Sequence, residues 1–299
     1  MVSFSPTKRG RRSSVGMLFV GVLLVLTLLL AACGNGGTST SGGSIPTPNT
    51  KTPTVTPPND LLTPGTLTVG SDTTYPPQEY IDTTTHMAAG FDIDLITEIA
   101  QRMGLQAKIV TTSFDTIINS LNSKRFDVVI SAVTINPQRQ QQVDFIPYFN
   151  AGESLLVQSG NPQHITSIDQ LCGQNVGVQN GTVEQTDLQT ASANCTKAGK
   201  PAIHITALTN QTDVIQLLVT NRVVATYQDS PVTDYYNKLH PGQFTVGGSV
   251  VNAAPEGIVV RKGDTSMFNA IQTAFNQLKA SGAYHALILK WGLTDEELH

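Results

Sequence analysis

The stretch 126–139, FDVVISAVTINPQR, sets a threonine and an arginine on either side of a proline. Pro137 suits the first position of a helix, where the missing amide costs nothing and the leading N–H groups have no partner. Thr134 adds a hydroxyl and Arg139 a guanidinium fork. Hydroxyl, fork and free amides together fit a carboxylate or a phosphate. Taken alone, Arg139 has two possible partners, such a ligand or a surface acid such as Asp144. A second group, Asp229-Ser230-Pro231, supplies a carboxylate at the start of a helix, where an acid serves either a ligand or the helix cap. Asp72 and Tyr75 lie in the loop SDTTYPP, and Phe114 lies in SFD.

These groups follow segments that read as strands, and in an open α/β sheet ligands bind outside the carboxyl ends of strands. Leu67–Gly70, Gln106–Val110 and the apolar run of Val128, Val129, Ile130, Ala132 and Val133 predict three strands, the last covered on both faces. Between them, 88–103 predicts a helix with Phe91, Leu95, Ile96, Ile99 and Met103 inward and Gly104 as its stop. A short helix carries Ile117, Ile118 and Leu121. This β-α-β-α-β order implies a parallel sheet with helices on its faces. The pattern repeats with strands at 154–158, 175–179, 202–206 and 223–228, a short helix at 167–171 and helices at 182–191, 213–220 and 229–238. A strand at 257–261 and helices at 267–280 and 284–291 close the chain. Two α/β sets of this size imply two lobes, each with its own sheet.

The chain has 299 residues, 39% hydrophobic and 13% charged, in the range of a globular protein. Lys8, Arg9, Arg11 and Arg12 precede the apolar run 15–30, and Leu30-Ala31-Ala32-Cys33 follows. This reads as a signal peptide at 1–32, its apolar run short for a spanning helix. The ending resembles the bacterial lipobox, which implies lipidation of Cys33 and a lipid anchor on the outer face of the cell membrane. Residues 33–63 read as a flexible Gly/Ser/Thr/Pro tether. Without residues 1–32, 14 basic residues face 22 acidic ones. That balance argues against nucleic acid as a partner. In an exported chain Cys172 and Cys195 are expected to form a disulfide. The six histidines are scattered with no metal-ligand spacing, so no metal or other cofactor is expected.

Five segments in order, SDTTYPP, GFDIDLITEIAQRMG, SFDTIINSLNSKRFDVVISAVTINPQRQQQVDF, VGVQNGT and YQDSP, together with the closing ASGAYHALILKWGL, carry a family likeness. Across nearly all of 65–293 the chain resembles the family 3 solute-binding proteins of ABC transporters, receptors for polar amino acids. The resemblance implies a two-lobed, type II periplasmic-binding-protein-like clamshell. Each lobe would be a mainly parallel sheet flanked by helices, and two crossovers at 149–153 and 250–254 would join them. Lobe 1 would comprise 64–150 and 253–299, and lobe 2 would comprise 151–252.

Carried onto this chain, the resemblance implies that Arg139 grips an α-carboxylate, helped by the Thr134 hydroxyl and backbone amides at Thr182. Asp229 would take the α-ammonium, with the Ala132 carbonyl as a second acceptor. Tyr75 and Phe114 would sandwich the side chain, and Asp72 would sit at its far end. Gln179, Gln228, Ala132 and Val183 depart from common family residues, which puts the side-chain pocket in question. Asp72, Gln179 and Gln228 make that pocket polar and mildly acidic. The expected ligand is therefore Gln, Asn, His or a cationic amino acid, and the expected partner is an ABC permease, with the receptor a monomer. Two other readings stand beside it. One is an enzyme on the same fold, like cyclohexadienyl dehydratase, although no acid–base pair stands out beside Arg139. The other is a ligand sensor acting through a partner.

Overall fold

A computed structural model describes residues 53–298; the leader, Cys33 and the first part of the tether lie outside the described residues. The first half opens with β1 (Thr66–Ser71), followed by a three-stranded antiparallel ribbon of β2 (Thr74–Tyr75), β3 (Glu79–Ile81) and β4 (Ala88–Ala89). Then come α1 (Phe91–Arg102), β5 (Gln106–Thr111), α2 (Ile117–Asn122), β6 (Val128–Val129) and the one-turn α3 (Pro137–Gln140). Helix α1 begins later than its apolar spacing suggests. Gly90 precedes it at φ 131° and ψ 173°, a conformation reserved for glycine, and Ala88 and Ala89 pair with β3 instead. Strand β6 is likewise cut to two residues, because Ala132 turns the backbone to φ 47°.

The chain then enters β7 (Val143–Gln158), a 16-residue strand that crosses from one lobe to the other. The second lobe holds β8 (Asn175–Gln179), α4 (Val183–Lys197), β9 (His204–Leu208), α5 (Gln211–Val219), β10 (Ala225–Asp229), α6 (Ser230–Leu239) and β11 (Phe244–Val246). Strand β12 (Val251–Arg261) returns to the first lobe, and α7 (Thr265–Ala280) and α8 (Ala283–Trp291) pack there.

Strand order β5-β1-β6-β12-β7-β10-β8-β9, with β11 on the other side of β7, is one hydrogen-bonded path through both lobes. The β5-β1-β6 and β10-β8-β9 sets are parallel, while β7 and β12 run antiparallel to their neighbours. Both crossovers are therefore segments of long strands, paired from Val143↔Arg261 to Glu153↔Val251 with two register shifts between. This is the two-lobed clamshell, with the separate sheets expected from sequence joined through their shared strands. A paired crossover bends at few places, and the register shifts beside Glu256 and at 251–254 are those places.

Each lobe has its own apolar interior. In the first, Phe91, Leu95, Ile96 and Ile99 of α1 meet α7, α8 and β1 with no exposed surface, each contributing about 1.5–3 kcal/mol by burial. The opposite face is closed by Ile117, Leu121 and Phe126. In the second lobe, α4 covers one face of the sheet and α5 and α6 the other. The Cys172–Cys195 disulfide, with Cα atoms 5.6 Å apart, fastens α4 to the chain entering β8.

Candidate ligand-binding site

Asp72, Thr134, Gln179 and Asp229 each sit at or just past the carboxyl end of a strand, and these ends meet at the seam between the lobes. They meet around a narrow cavity of about 10 Å³, room for about one water molecule. Nine residues singled out from sequence line it: Asp72, Tyr75, Phe114, Ala132, Thr134, Arg139, Gln179, Thr182 and Asp229. Gln228 is a correction. It is buried behind the cavity, its amide donating to Thr233 Oγ1 and its carbonyl oxygen accepting from Gln211 Nε2 at 3.2 Å. Side chains alternate along β10, so the strand that directs Asp229 into the cavity turns Gln228 away.

Arg139 is fixed by its helix. Asn136 caps α3, its side-chain oxygen accepting from the Arg139 amide at 2.8 Å. Nη1 donates to the Thr134 carbonyl at 2.7 Å and Nη2 to the Gly181 carbonyl at 3.3 Å, one contact in each lobe. The guanidinium carbon lies 5.3 Å from the centre of the Phe114 ring. Among the described residues Arg139 forms no ion pair; Asp144 is instead held by Lys262 Nζ at 2.6 Å and the Gly263 amide at 2.8 Å. Burial lowers the guanidinium pKa, while Glu184, Asp229 and Glu256 oppose that shift. A buried cation without a bonded carboxylate is a strong acceptor site for one.

Across the cavity, Asp229 makes no cap contact with α6. Its Oδ2 accepts from the Tyr75 hydroxyl at 2.9 Å, and its amide donates to the same oxygen at 3.1 Å. Tyr75 thus bridges the lobes through its hydroxyl. Glu184, in the first turn of α4, lines the same cavity wall as Asp229. Burial pushes both carboxyls well above the usual range, and each also feels a nearby acid, Glu256 for Asp229 and Asp229 for Glu184. Thr182 caps α4, its hydroxyl oxygen accepting from the Gln185 amide at 3.1 Å.

Asp72 binds across the seam too. Gln179 Nε2 donates to its Oδ2 and Thr74 Oγ1 to its Oδ1 at 2.9 Å. Burial raises Asp72 to about 6, against the lowering effect of those bonds. Beneath it runs a second acidic network. The Asp72 amide donates to Ser131 Oγ at 2.8 Å, and Ser131 donates to Glu79 Oε1 at 2.9 Å. Asp92 Oδ2 accepts from the Ala132 amide at 3.0 Å and from Tyr148 at 2.7 Å, and Gln78 donates to Glu256. Asp92 therefore holds Ala132 in its left-handed turn, a conformation costing about 1–2 kcal/mol.

Burial raises Asp92 to about 7 and Glu153 to about 7. The folded protein thus binds protons that the unfolded chain releases near pH 4. Stability from these groups is complete below that value and is lost as pH rises through about 6–7. The thermal midpoint measured without amino acids should fall between pH 5 and pH 8, and a rise over that window would contradict these assignments.

Sequence reasoning missed Glu79, Ser131 and Glu184 in the cavity wall. Glu184 reads locally as an acid favouring a helix N-terminus, and Glu79 as a turn residue. Their local context gives no sign that both are buried.

Residues 67–294 match the bacterial extracellular solute-binding proteins, family 3. The lysine/arginine/ornithine-binding periplasmic protein of Escherichia coli K12 is 31% identical over 235 residues, covering 76% of this chain and 88% of that protein. The putative ABC transporter arginine-binding protein 2 of the same organism is 29% identical over 231 residues, covering 76% and 90%. The structure of an ancestral arginine-binding protein bound to arginine has 35% identity and a TM-score of 0.70, covering 76% of this chain and 98% of that one. Together with the two lobes and the cavity at their seam, these matches show that the chain belongs to the family 3 bacterial extracellular solute-binding proteins.

Proposed function

We propose that this protein captures a cationic amino acid between its lobes and presents it, in the closed form, to an ABC permease. One observation carries the charge preference: the cavity wall holds four acids, Asp72, Glu79, Glu184 and Asp229, and a single base, Arg139. A zwitterion adds one charge of each sign, so a second cation on the ligand offsets part of the excess of acids. In this reading Arg139 and the α4 N-terminus bind the carboxylate, Asp229 binds the α-ammonium, and Asp72 and Glu79 face the side-chain cation. Two of the relatives agree with this, one a lysine/arginine/ornithine-binding protein and the other a putative arginine-binding protein. The chain is a binding protein and not an enzyme, as are its relatives.

Closure follows from where the groups lie. Arg139, Tyr75 and Asp72 come from the first lobe, and Asp229, Gln179 and Glu184 from the second. A bridging ligand therefore favours the closed state, which a permease can distinguish from the open one. We take lobe 1 as 64–150 with 253–299 and lobe 2 as 151–252. The basic leader and the Leu30–Cys33 ending support export and a lipid anchor at Cys33, and the monomer is retained as the working state.

A thermal-shift screen against the twenty amino acids, ornithine and citrulline tests the assignment. Ligand at a hundred times its dissociation constant adds about 2.7 kcal/mol of stability. Arginine, lysine or ornithine should give the largest shifts, with citrulline well below arginine. A dominant response to glutamate or aspartate, or none to any amino acid, would overturn it.

A further inference from the structure

Asn180 and Gly181 belong to the turn between β8 and α4 in the second lobe. Asn180 Nδ2 donates to Asp115 Oδ2 at 3.0 Å, and the Gly181 carbonyl accepts from Arg139 Nη2 at 3.3 Å, so both residues reach across the seam. The turn itself is fixed from within its own lobe, the Gly181 amide donating to Gln185 Oε1 at 2.8 Å. What lies opposite is backbone. A Cβ built on Gly181 would sit 2.7 Å from Asp115 Cα and 2.9 Å from its Cβ, well inside ordinary contact. Asp115 belongs to the single helical turn Phe114–Thr116. Phe114 is part of the cavity wall, its ring centre 5.3 Å from the Arg139 guanidinium carbon. Asp115 therefore cannot back away without shifting the wall of the site.

The contact also stands at the mouth of the cleft. An outer hollow of about 290 Å³, with Asp115, Asn136, Gly181 and Gln185 in its wall, shares Phe114, Arg139, Thr182 and Val183 with the inner cavity. Packed protein yields little to compression, so how far the lobes shut at this mouth is set where backbone meets backbone.

We propose that Gly181 is the closing stop of the two lobes. Having no side chain, it lets the rim of lobe 2 seat on the Asp115 backbone and brings its own carbonyl to Arg139, which orients the guanidinium for the ligand carboxylate. A side chain at 181 holds the rims apart and leaves the site incomplete. Gly181 is in this sense a positioning residue, acting on the ligand through Arg139 and Phe114. Backbone conformation also calls for glycine here, since φ is +83°. That demand arises inside lobe 2 and is the same with the lobes open or shut, so it changes stability and cancels from affinity. Gly199 supplies the comparison: it lies in the same lobe at φ +72°, with nothing within 4 Å of a Cβ built there.

This inference rests on the capture reading above, and the variants separate the two. L-Arginine is titrated by calorimetry into the parent protein, Gly181→Ala and Gly199→Ala, with thermal midpoints taken without ligand. Both substitutions should lower the midpoint, and only Gly181→Ala should weaken binding, by roughly tenfold or more. The loss should fall on the dissociation rate, read as release of radiolabelled L-arginine into excess unlabelled ligand, because the open form that first meets the ligand is unchanged. Gly181→Asn, whose side chain tolerates a left-handed backbone, should recover stability and not affinity. Equal affinity in Gly181→Ala and Gly199→Ala overturns the stop and leaves the ligand assignment standing, and so does recovery of affinity in Gly181→Asn. If L-arginine does not bind, the stop is tested with the amino acid of largest thermal shift, and a neutral or acidic one overturns the cationic reading alone. No shift from any amino acid overturns both readings.

Discussion

Arg139→Ala should weaken binding of the cognate amino acid at least a hundredfold, which is about 2.7 kcal/mol or more. The guanidinium is buried, with fixed bonds to Thr134 and Gly181 and, among the described residues, no carboxylate bound to it. The cost of burying that charge has already been met in the fold, so the ligand carboxylate meets a desolvated, oriented fork. Its removal leaves a cavity wall whose charged residues are all acids, which repel a carboxylate. Arg139→Lys should restore little, because an ammonium cannot span the two carbonyls and the ligand with one planar group. Isothermal calorimetry decides the matter, and a loss below tenfold would remove Arg139 from the site.

The second large effect is expected on the scaffold. Gly90→Ala should destabilise the protein by about 3 kcal/mol or more, lowering the thermal midpoint by roughly 6–12 °C. Gly90 lies at φ 131°, and a Cβ built there would sit 2.1 Å from the Gln78 carbonyl oxygen. That oxygen accepts from the Asp92 amide at 2.9 Å, so it cannot move away without undoing the first turn of α1. The damage should spread to binding. Gln78 holds Glu256, and Asp92 holds the Ala132 amide, so the cavity floor hangs on this corner. A midpoint within about 2 °C of the parent protein, read by scanning calorimetry, would show that the corner yields more easily than its geometry indicates.

The contrast between these two positions bears on what was legible in the sequence. Arg139 announced itself, since a proline at the first helical position fixes where the next turn points its side chain, and strand carboxyl ends are where ligands sit. Thr134, Asp72 and Asp229 were legible for the same local reason. The two cysteines were too, because export leaves them little alternative to pairing, and the disulfide is present. Gly90 was not. The apolar spacing of 88–103 continues smoothly through it, and only the approach of the Gln78 carbonyl, set by the β2-β3-β4 ribbon, demands a glycine.

What the sequence determined by itself was the alternation of strands and helices, two α/β sets, and the placing of Asp72, Thr134, Arg139 and Asp229 past the carboxyl ends of strands. Periodicity and turn chemistry are local properties, and they survive without knowledge of the partner. What the tertiary structure decided was which way each group faces and how many acids share the space. Gln228 and Asp229 are neighbours in the chain, yet strand alternation sends one behind the sheet and the other into the cavity. Glu184 looked like an ordinary first-turn acid until the fold of the second lobe buried it in the cavity wall with Asp229. Burial and charge balance are properties of the assembled seam. Contacts such as Tyr75 with Asp229, 154 residues apart, create them.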